Sequence, residues 1–292
     1  MIEALAEGLG VTRRFGTAVA VDAVDVQVRA GEVVGLLGAN GAGKTTLIRL
    51  LLGLIEPSAG VVRLFGGPPS RRTRSRIGYV PQSMGLYPDL TAAENLDFAR
   101  AAFGVAAAPP PAALRVPERI PVGRLPLGMQ RRLAFAQALA HSPGLLVLDE
   151  PTSGVDALAR TRLWDVIRDA AETGAGVLVT THSMEEAQEC DRLVVLAAGR
   201  QVAAGTVAGI VGSAEVTTVD CADWAAAFGL LEAAGLRAAL VGRWLRVPGA
   251  PAEWVREALG GLPATLGRAV ATLEERFVEL AAAGISPPTG GT

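Results

Sequence analysis

The chain has 292 residues, 50% of them hydrophobic, with a formal net charge of −2. That length suits one large α/β domain and a smaller second one, and the charge gives no bulk electrostatic reason to expect a nucleic-acid partner. Two cysteines, Cys190 and Cys221, and two histidines, His141 and His182, form neither a disulfide framework nor a metal-ligand spacing, so a cytosolic protein poor in metal ligands is expected.

In chain order, Gly8 to Arg14 and Ala18 to Val28 alternate apolar and polar residues and predict antiparallel strands. Val33 to Leu37 is a short continuous apolar run, the pattern of a buried parallel strand. A glycine-rich loop and a helix from about Lys44 to Leu54 follow, then a turn at Pro57 to Gly60 and strands at Val61 to Phe65 and Ile77 to Pro81. The arginines at 71, 72, 74 and 76 read as a solvated stretch before that last strand. Thr91 to Phe103 is helical, and Thr91 and Glu94 have capping-box spacing. Six prolines between Pro109 and Pro126 predict irregular chain. Then come a helix from Met129 to Ala140, a strand at Leu145 to Leu148 and a helix at Thr161 to Thr173. A strand at Val177 to Thr180, a helical turn or two at Met184 to Glu189 and a strand at Arg192 to Leu196 complete a strand–helix alternation that argues for a parallel α/β sheet.

The character changes near Gly212. A strand (Glu215 to Asp220), a helix (Trp224 to Ala234), a hairpin-like pair (Leu236 to Val247), a helix (Pro251 to Leu259) and an amphipathic helix (Thr272 to Ala283) predict a small second α/β domain. The expected division is 1–212 and 213–284, with a disordered tail from 285 to 292. No charged segment followed by an apolar stretch opens the chain, so no leader is expected. The longest apolar run, Leu47 to Ile55, is broken by Arg49 and is far short of the ~20 residues that cross a bilayer.

Of 27 Lys and Arg side chains only Lys44 is lysine, which suggests a position where arginine cannot serve. It lies in GANGAGKTT, residues 38–46, a phosphate-binding loop with the apolar strand before it and the helix after it that this motif requires. There Asn40, Gly41 and Gly43 let backbone N–H groups turn onto phosphate, and the helix N-terminus adds favourable field. Lys44 reaches the β- and γ-phosphates as a point charge, where arginine's planar fork does not fit. Thr45 offers a hydroxyl to Mg²⁺ and Thr46 completes the loop. Downstream, LLVLDE (145–150) is a buried strand ending in two acids. Asp149 is placed to approach the Mg²⁺ sphere and Glu150 to polarise an attacking water.

With these motifs on the chain, residues 1 to about 212 resemble the nucleotide-binding subunits of ABC transporters. The resemblance implies a P-loop NTPase fold of the ABC type: a mixed-sheet core, an antiparallel N-terminal subdomain and a shortened helical subdomain, plus the small C-terminal α/β domain. Gln82, in YVPQ, looks like the glutamine that contacts Mg²⁺ and signals to the membrane partner. PTSGVD (151–156) is similar to the loop that places Asp156 at a dimer seam. His182, in TTHSMEEA, looks like the switch histidine on the γ-phosphate, and Phe15 like the aromatic residue that stacks on adenine.

The signature segment departs from the family. LPLGMQRR (125–132) stands where Leu-Ser-Gly-Gly is usual, and Pro126 has no hydroxyl for the γ-phosphate held by the opposite subunit. One reading is a degenerate site. The other, favoured by resemblance of LPLG and its glutamine/arginine pair to ABC-2-type exporter subunits, has Pro126 starting the helix while the N–H groups of Gly128 and Met129 bind phosphate. The segment between Phe103 and Leu125 is shorter and richer in proline than in the family, on the surface that normally receives the membrane subunit. ATLEERFVEL (271–280) is similar to the closing helix of drug and cation exporter subunits in that branch.

The resemblance implies ATP and Mg²⁺ as ligands, a homodimer or a paired nucleotide-binding subunit, and transmembrane permease partners. It implies a peripheral place on the cytoplasmic face of the inner or plasma membrane. The function expected is an ATPase powering an exporter through head-to-tail dimerisation. The alternatives are a weak or silent heterodimer partner and a non-transport ABC ATPase, although no coiled coil, zinc module or tandem nucleotide domain is visible.

Overall fold

In the computed structural model, which describes residues 4–106 and 108–285, contacts divide the chain between Ala204 and Gly205. The first unit contains β1 (Ala4–Phe15), β2 (Ala18–Arg29), β3 (Val33–Leu37), α1 (Lys44–Leu51), β4 (Ala59–Leu64), α2 (Arg71–Arg74), β5 (Ile77–Val80) and α3 (Ala92–Phe103). It continues with α4 (Leu127–Leu139), β6 (Leu145–Asp149), α5 (Ala157–Glu172), β7 (Gly176–Thr181), α6 (Met184–Ala187), β8 (Arg192–Ala197) and β9 (Arg200–Gly205).

These strands build one nine-stranded sheet in the order β4-β1-β2-β9-β8-β3-β7-β6-β5. β1 pairs antiparallel with β2 and β4, whereas β3 runs parallel to β7 and β8, and β6 parallel to β5 and β7. Every residue of β3, β6 and β7 is buried, as expected where helices cover both faces of a parallel sheet. Helix α1 buries Leu47, Ile48, Leu50 and Leu51 against Val24, Val26, Val34, Leu36 and Leu64. This packing anchors the helix whose N-terminus carries the glycine loop.

The structure moves several boundaries. Helix α5 begins at Ala157 rather than Thr161, because the Asp156 carboxylate accepts the Ala159 N–H at 2.9 Å and caps it. Helix α4 begins at Leu127 rather than Met129. Helix α2 gives the arginine stretch a turn of its own, capped by Ser70. Strand β9 is a further unpredicted element. The Thr91–Glu94 capping box is present, with both reciprocal hydrogen bonds made. Between α3 and α4, apart from residue 107, only two short 3₁₀ turns interrupt irregular chain.

The second unit begins at Gly205 rather than near Gly212. It contains α7 (Val207–Val211), β10 (Glu215–Asp220), α8 (Trp224–Ala233), β11 (Ala239–Val241), β12 (Trp244–Val247), α9 (Ala252–Ala258), β13 (Thr265–Val270) and α10 (Leu273–Ile285). The earlier start reflects α7, whose Ile210 carbonyl accepts the Arg276 Nε–H of α10 at 3.3 Å. Strands β11, β12, β10 and β13 form an antiparallel sheet in that order. The run β10-α8-β11-β12-α9-β13 has the βαββαβ topology of ferredoxin-like folds. Its core joins Val219, Leu245 and Val247 to Ala227 and Leu231 of α8 and Val255 of α9. The tail expected to be disordered lies, from residue 286 on, outside the described residues.

Candidate functional site

The loop between β3 and α1 turns back at Gly43, which adopts φ 100° at the N-cap of α1. A Cβ there would sit 2.5 Å from the Ala20 carbonyl oxygen, so no other residue fits. The first-turn N–H groups of α1 have no partners within the helix and point to where an anion binds. Asn40, Gly41, Gly43, Lys44, Thr45, Thr46, Gln82 and Glu150, with Ala20, line one cleft of about 260 Å³. The Lys44 ammonium is 5% exposed and donates to the carbonyls of Gly38 at 2.7 Å and Ala39 at 3.2 Å.

Strand β6 ends at Asp149, and the next residue, Glu150, lines this cleft. Asp149 is 1% exposed, and its Oδ1 accepts the hydroxyls of Thr180 at 2.7 Å and Thr45 at 3.3 Å. Its Oδ2 is buried without a hydrogen-bond partner. An ionised oxygen left this way is costly in a protein interior unless something else satisfies it. With the Thr45 hydroxyl alongside, the donor set is hard oxygen, which fits Mg²⁺. Among the described residues no group of three or more His, Cys, Asp or Glu side chains could hold a metal, so a cation here needs phosphate and water oxygens as well.

Glu150 stands at the end of the strand with φ 50°, a conformation uncommon for a side-chain-bearing residue. Its N–H donates to Thr180 Oγ1 at 2.8 Å, which holds the bend. Three groups converge on its carboxylate: Lys44 Nζ at 3.6 Å, Gln82 Nε2 at 3.4 Å and His182 Nδ1 at 3.7 Å. An attacking water near this carboxylate would meet a base, a cation and two hydrogen-bonding side chains.

Five predicted residues are not among those lining the cleft: Asp149 and His182 reach it only through their contacts with Thr45 and Glu150, and Phe15, Gly128 and Asp156 lie elsewhere. Phe15 ends β1 half exposed, with the Arg13 guanidinium 4.6 Å from its ring centre. Gly128 lies in the first turn of α4, and Asp156 caps α5. Pro126 holds the N-cap position of α4, and its carbonyl takes the Met129 N–H at 2.8 Å. Of the two N–H groups expected to meet phosphate there, Met129's is thus engaged within the helix, and Gly128's belongs to the unpaired first turn.

Sequence reasoning missed Thr180, Arg131 and Glu186. Arg131 is 5% exposed and reaches the carbonyls of Gln82 and Ser153, each at 3.4 Å. Burial lowers its pKa, and the Glu150 carboxylate opposes that shift. The threonine pair before His182 signals only that hydroxyls at the end of a buried strand need partners, not which partners they take.

The family described as ABC transporter matches residues 21–153. A Nod factor export ATP-binding protein I of Burkholderia lata is 45% identical over 208 residues, covering 67% of this chain and 68% of that protein. A structure titled ATP binding subunit of ABC transporter shares 31% identity and superposes with a TM-score of 0.65 over 70% of this chain and 91% of that one. The cassette MJ0796, in a dimeric post-hydrolysis state bound to ADP and Pi, matches with 25% identity and a TM-score of 0.60 over 69% of this chain and 98% of its own. The chain belongs to the ABC transporter family, as one of its ATP-binding, ATP-hydrolysing subunits.

Proposed function

We propose that this subunit powers an ABC-2-type membrane exporter as a head-to-tail dimer bound to transmembrane permease subunits on the cytoplasmic face of the membrane. The observation that carries the reading is the convergence of Lys44, Gln82 and His182 on Glu150. Similarity to a protein named for export supports the transport direction. Among the described residues no helix is long and apolar enough to cross a membrane, and in this reading the permease subunits supply the spanning part.

ATP lies on the phosphate loop of one copy and faces Gly128 and Asp156 of the other, with adenine on Phe15. Thr45 and Asp149, with Gln82, would hold Mg²⁺, and the ion would supply positive charge to offset that of the phosphates. Glu150 orients a water onto the γ-phosphorus. The new oxygen–phosphorus bond forms as the bond to the bridging oxygen breaks, releasing ADP and phosphate. Lys44 stabilises the charge that develops, and His182 and Gln82 sense the γ-phosphate. Binding closes the dimer and hydrolysis opens it. The membrane subunit docks in a groove beside the Gln82 segment, lined by Leu52, Leu54, Tyr79, Met84, Phe103 and His141.

Glu150→Gln tests the reading: the variant is expected to trap ATP in a stable closed dimer, read by sedimentation with and without nucleotide. No ATP-dependent dimer would count against it, and co-purification of a multi-spanning membrane protein tests the transport half. One observation favours a second reading, a weak partner in a heterodimer: Pro126 offers no hydroxyl at the N-cap of α4. Turnover of the isolated wild type no faster than that of Glu150→Gln would support it.

A further inference from the structure

We propose that Glu186 is a positioning residue that ties the turn carrying His182 to the loop leading to Asp156, so that the γ-phosphate sensor and the dimer seam move together. The proposal rests on the roles given to His182 and Asp156 above.

Glu186 lies on α6, one helical turn beyond His182, and is 6% exposed. Its carboxylate is shared between two loops. On the switch side, Thr181 Oγ1 donates to Glu186 Oε2 at 2.6 Å and accepts the Ser183 N–H at 2.9 Å. Ser183 Oγ in turn accepts the Glu186 N–H at 3.5 Å. Both sequence neighbours of His182 are thus tied to Glu186. On the seam side, Thr152 Oγ1 donates to Glu186 Oε1. Thr152 lies between Glu150 and Asp156. Beyond Asp156, Arg160 on α5 brings its Nε within 3.7 Å of Glu186 Oε1 and its terminal nitrogen within 3.1 Å of Glu185.

Thr152 and Thr181 are 3% and 2% exposed, so the carboxylate and both hydroxyls are shut away from water. Holding two loops together does not need an acid, because apolar side chains of similar volume fill such a site at no desolvation cost. What a carboxylate adds is conditional. Its oxygens must keep their donors, since orphaning a buried charged acceptor is expensive. A displacement of the His182 turn therefore carries Glu186, and Glu186 carries Thr152 and the start of α5. A shift at the γ-phosphate of one half-site reaches Asp156, which faces the other.

The test is steady-state ATP turnover of the full chain, with binding of a fluorescent ATP analogue measured alongside. Thr152→Val and Glu186→Ala are each expected to lower kcat roughly tenfold, as misplaced catalytic groups do. KM and analogue affinity should stay within about twofold, the sign of an interaction used after binding. Glu186→Gln should retain more activity than Glu186→Ala, because its amide oxygen still accepts one hydroxyl. The Thr152→Val/Glu186→Ala double variant should be no worse than Glu186→Ala, because the two act as one unit. Unchanged kcat in folded Thr152→Val, multiplicative losses in the double variant, or affinity falling in step with kcat would each overturn the proposal. Should Glu186→Ala fail to fold, the near-isosteric Thr152→Val decides alone. His182→Ala separates the layers. If it leaves turnover intact, the sensor role fails; if it abolishes turnover while Thr152→Val does nothing, only the coupling fails.

Discussion

Two backbone carbonyls, those of Gly38 and Ala39, hold the Lys44 ammonium in a space that leaves it 5% exposed. A compact ammonium suits that nest, and a planar guanidinium needs a wider, flatter one. Lys44→Arg is therefore expected to weaken binding of an ATP analogue by at least about tenfold, roughly 1.4 kcal/mol, while the melting temperature without nucleotide stays close to wild type. Isothermal titration against the analogue, paired with a thermal melt, checks both halves. Lys44, Thr45, Asp149 and Glu150 were legible in the sequence because their chemistry is local: a strand, a turn and a few residues in fixed order. Thr180, Arg131 and Glu186 were not. Thr180 matters because β6 and β7 pair in a register that sets it opposite Asp149, and nothing near Thr180 in the chain announces that register. Arg131 and Glu186 likewise take their meaning from carbonyls and hydroxyls far away in sequence.

At the scale of elements, local signals read well wherever a side chain and its own backbone decide the outcome. The capping box at the start of α3 is such a case: the Thr91 hydroxyl accepts the Glu94 N–H at 3.3 Å, and Glu94 Oε2 accepts the Thr91 N–H at 2.8 Å. The Thr91 hydroxyl, which donates to Glu94 Oε2 at 2.7 Å, and then the Thr91 N–H hold the Glu94 carboxyl below its ordinary pKa. Thr91→Ala is expected to cost about 1 kcal/mol of stability, read as a lower denaturant midpoint with unchanged slope. The start of α5 was misplaced because Pro151 to Asp156 reads as a functional loop, while Asp156 is also an ordinary helix cap. Strand β13 escaped notice because its central Gly267 breaks the apolar alternation. A side chain there would crowd its neighbour: a Cβ would lie 2.9 Å from Thr218 Oγ1 on the adjacent strand, so the threonine would have to shift.

For the molecule as a whole, the first unit's architecture followed from the order of its motifs, whereas the second unit carries only the ATLEERFVEL resemblance at its end, and its topology emerged only with the strand pairing. Within that unit Arg246 donates to Glu275 from Nε at 2.5 Å and from a terminal nitrogen at 2.9 Å, fastening α10 to β12. Burial pushes the Glu275 carboxyl up, but the hydrogen bonds from Arg246 and from the Thr272 backbone outweigh it, and the pKa lies below its usual value. A depressed carboxylate pKa gives stability that is present above the unfolded value of about 4.3 and lost as pH falls through the folded one. Glu275→Gln should therefore melt at a lower temperature than wild type at pH 7, and the gap should close on acidification below about pH 4. Calorimetry at several pH values checks this, and a gap that stays constant would rule out the ionised pair as its source.

Strands β10 and β13 lie side by side, with Glu215 opposite Val270, and the Ala271 N–H donates to the Ala214 carbonyl at 2.8 Å. The chain thus enters and leaves the βαββαβ body through one doorway, with its two jambs already in hydrogen-bond contact. Helices α7 and α10, joined by Arg276 and Ile210, remain as the frame. Everything from residue 215 to 270 is in effect a cartridge. It is closed at its mouth by the β10–β13 pairing and latched to α10 by Arg246 and Glu275, so a change in its strands is felt first at that latch.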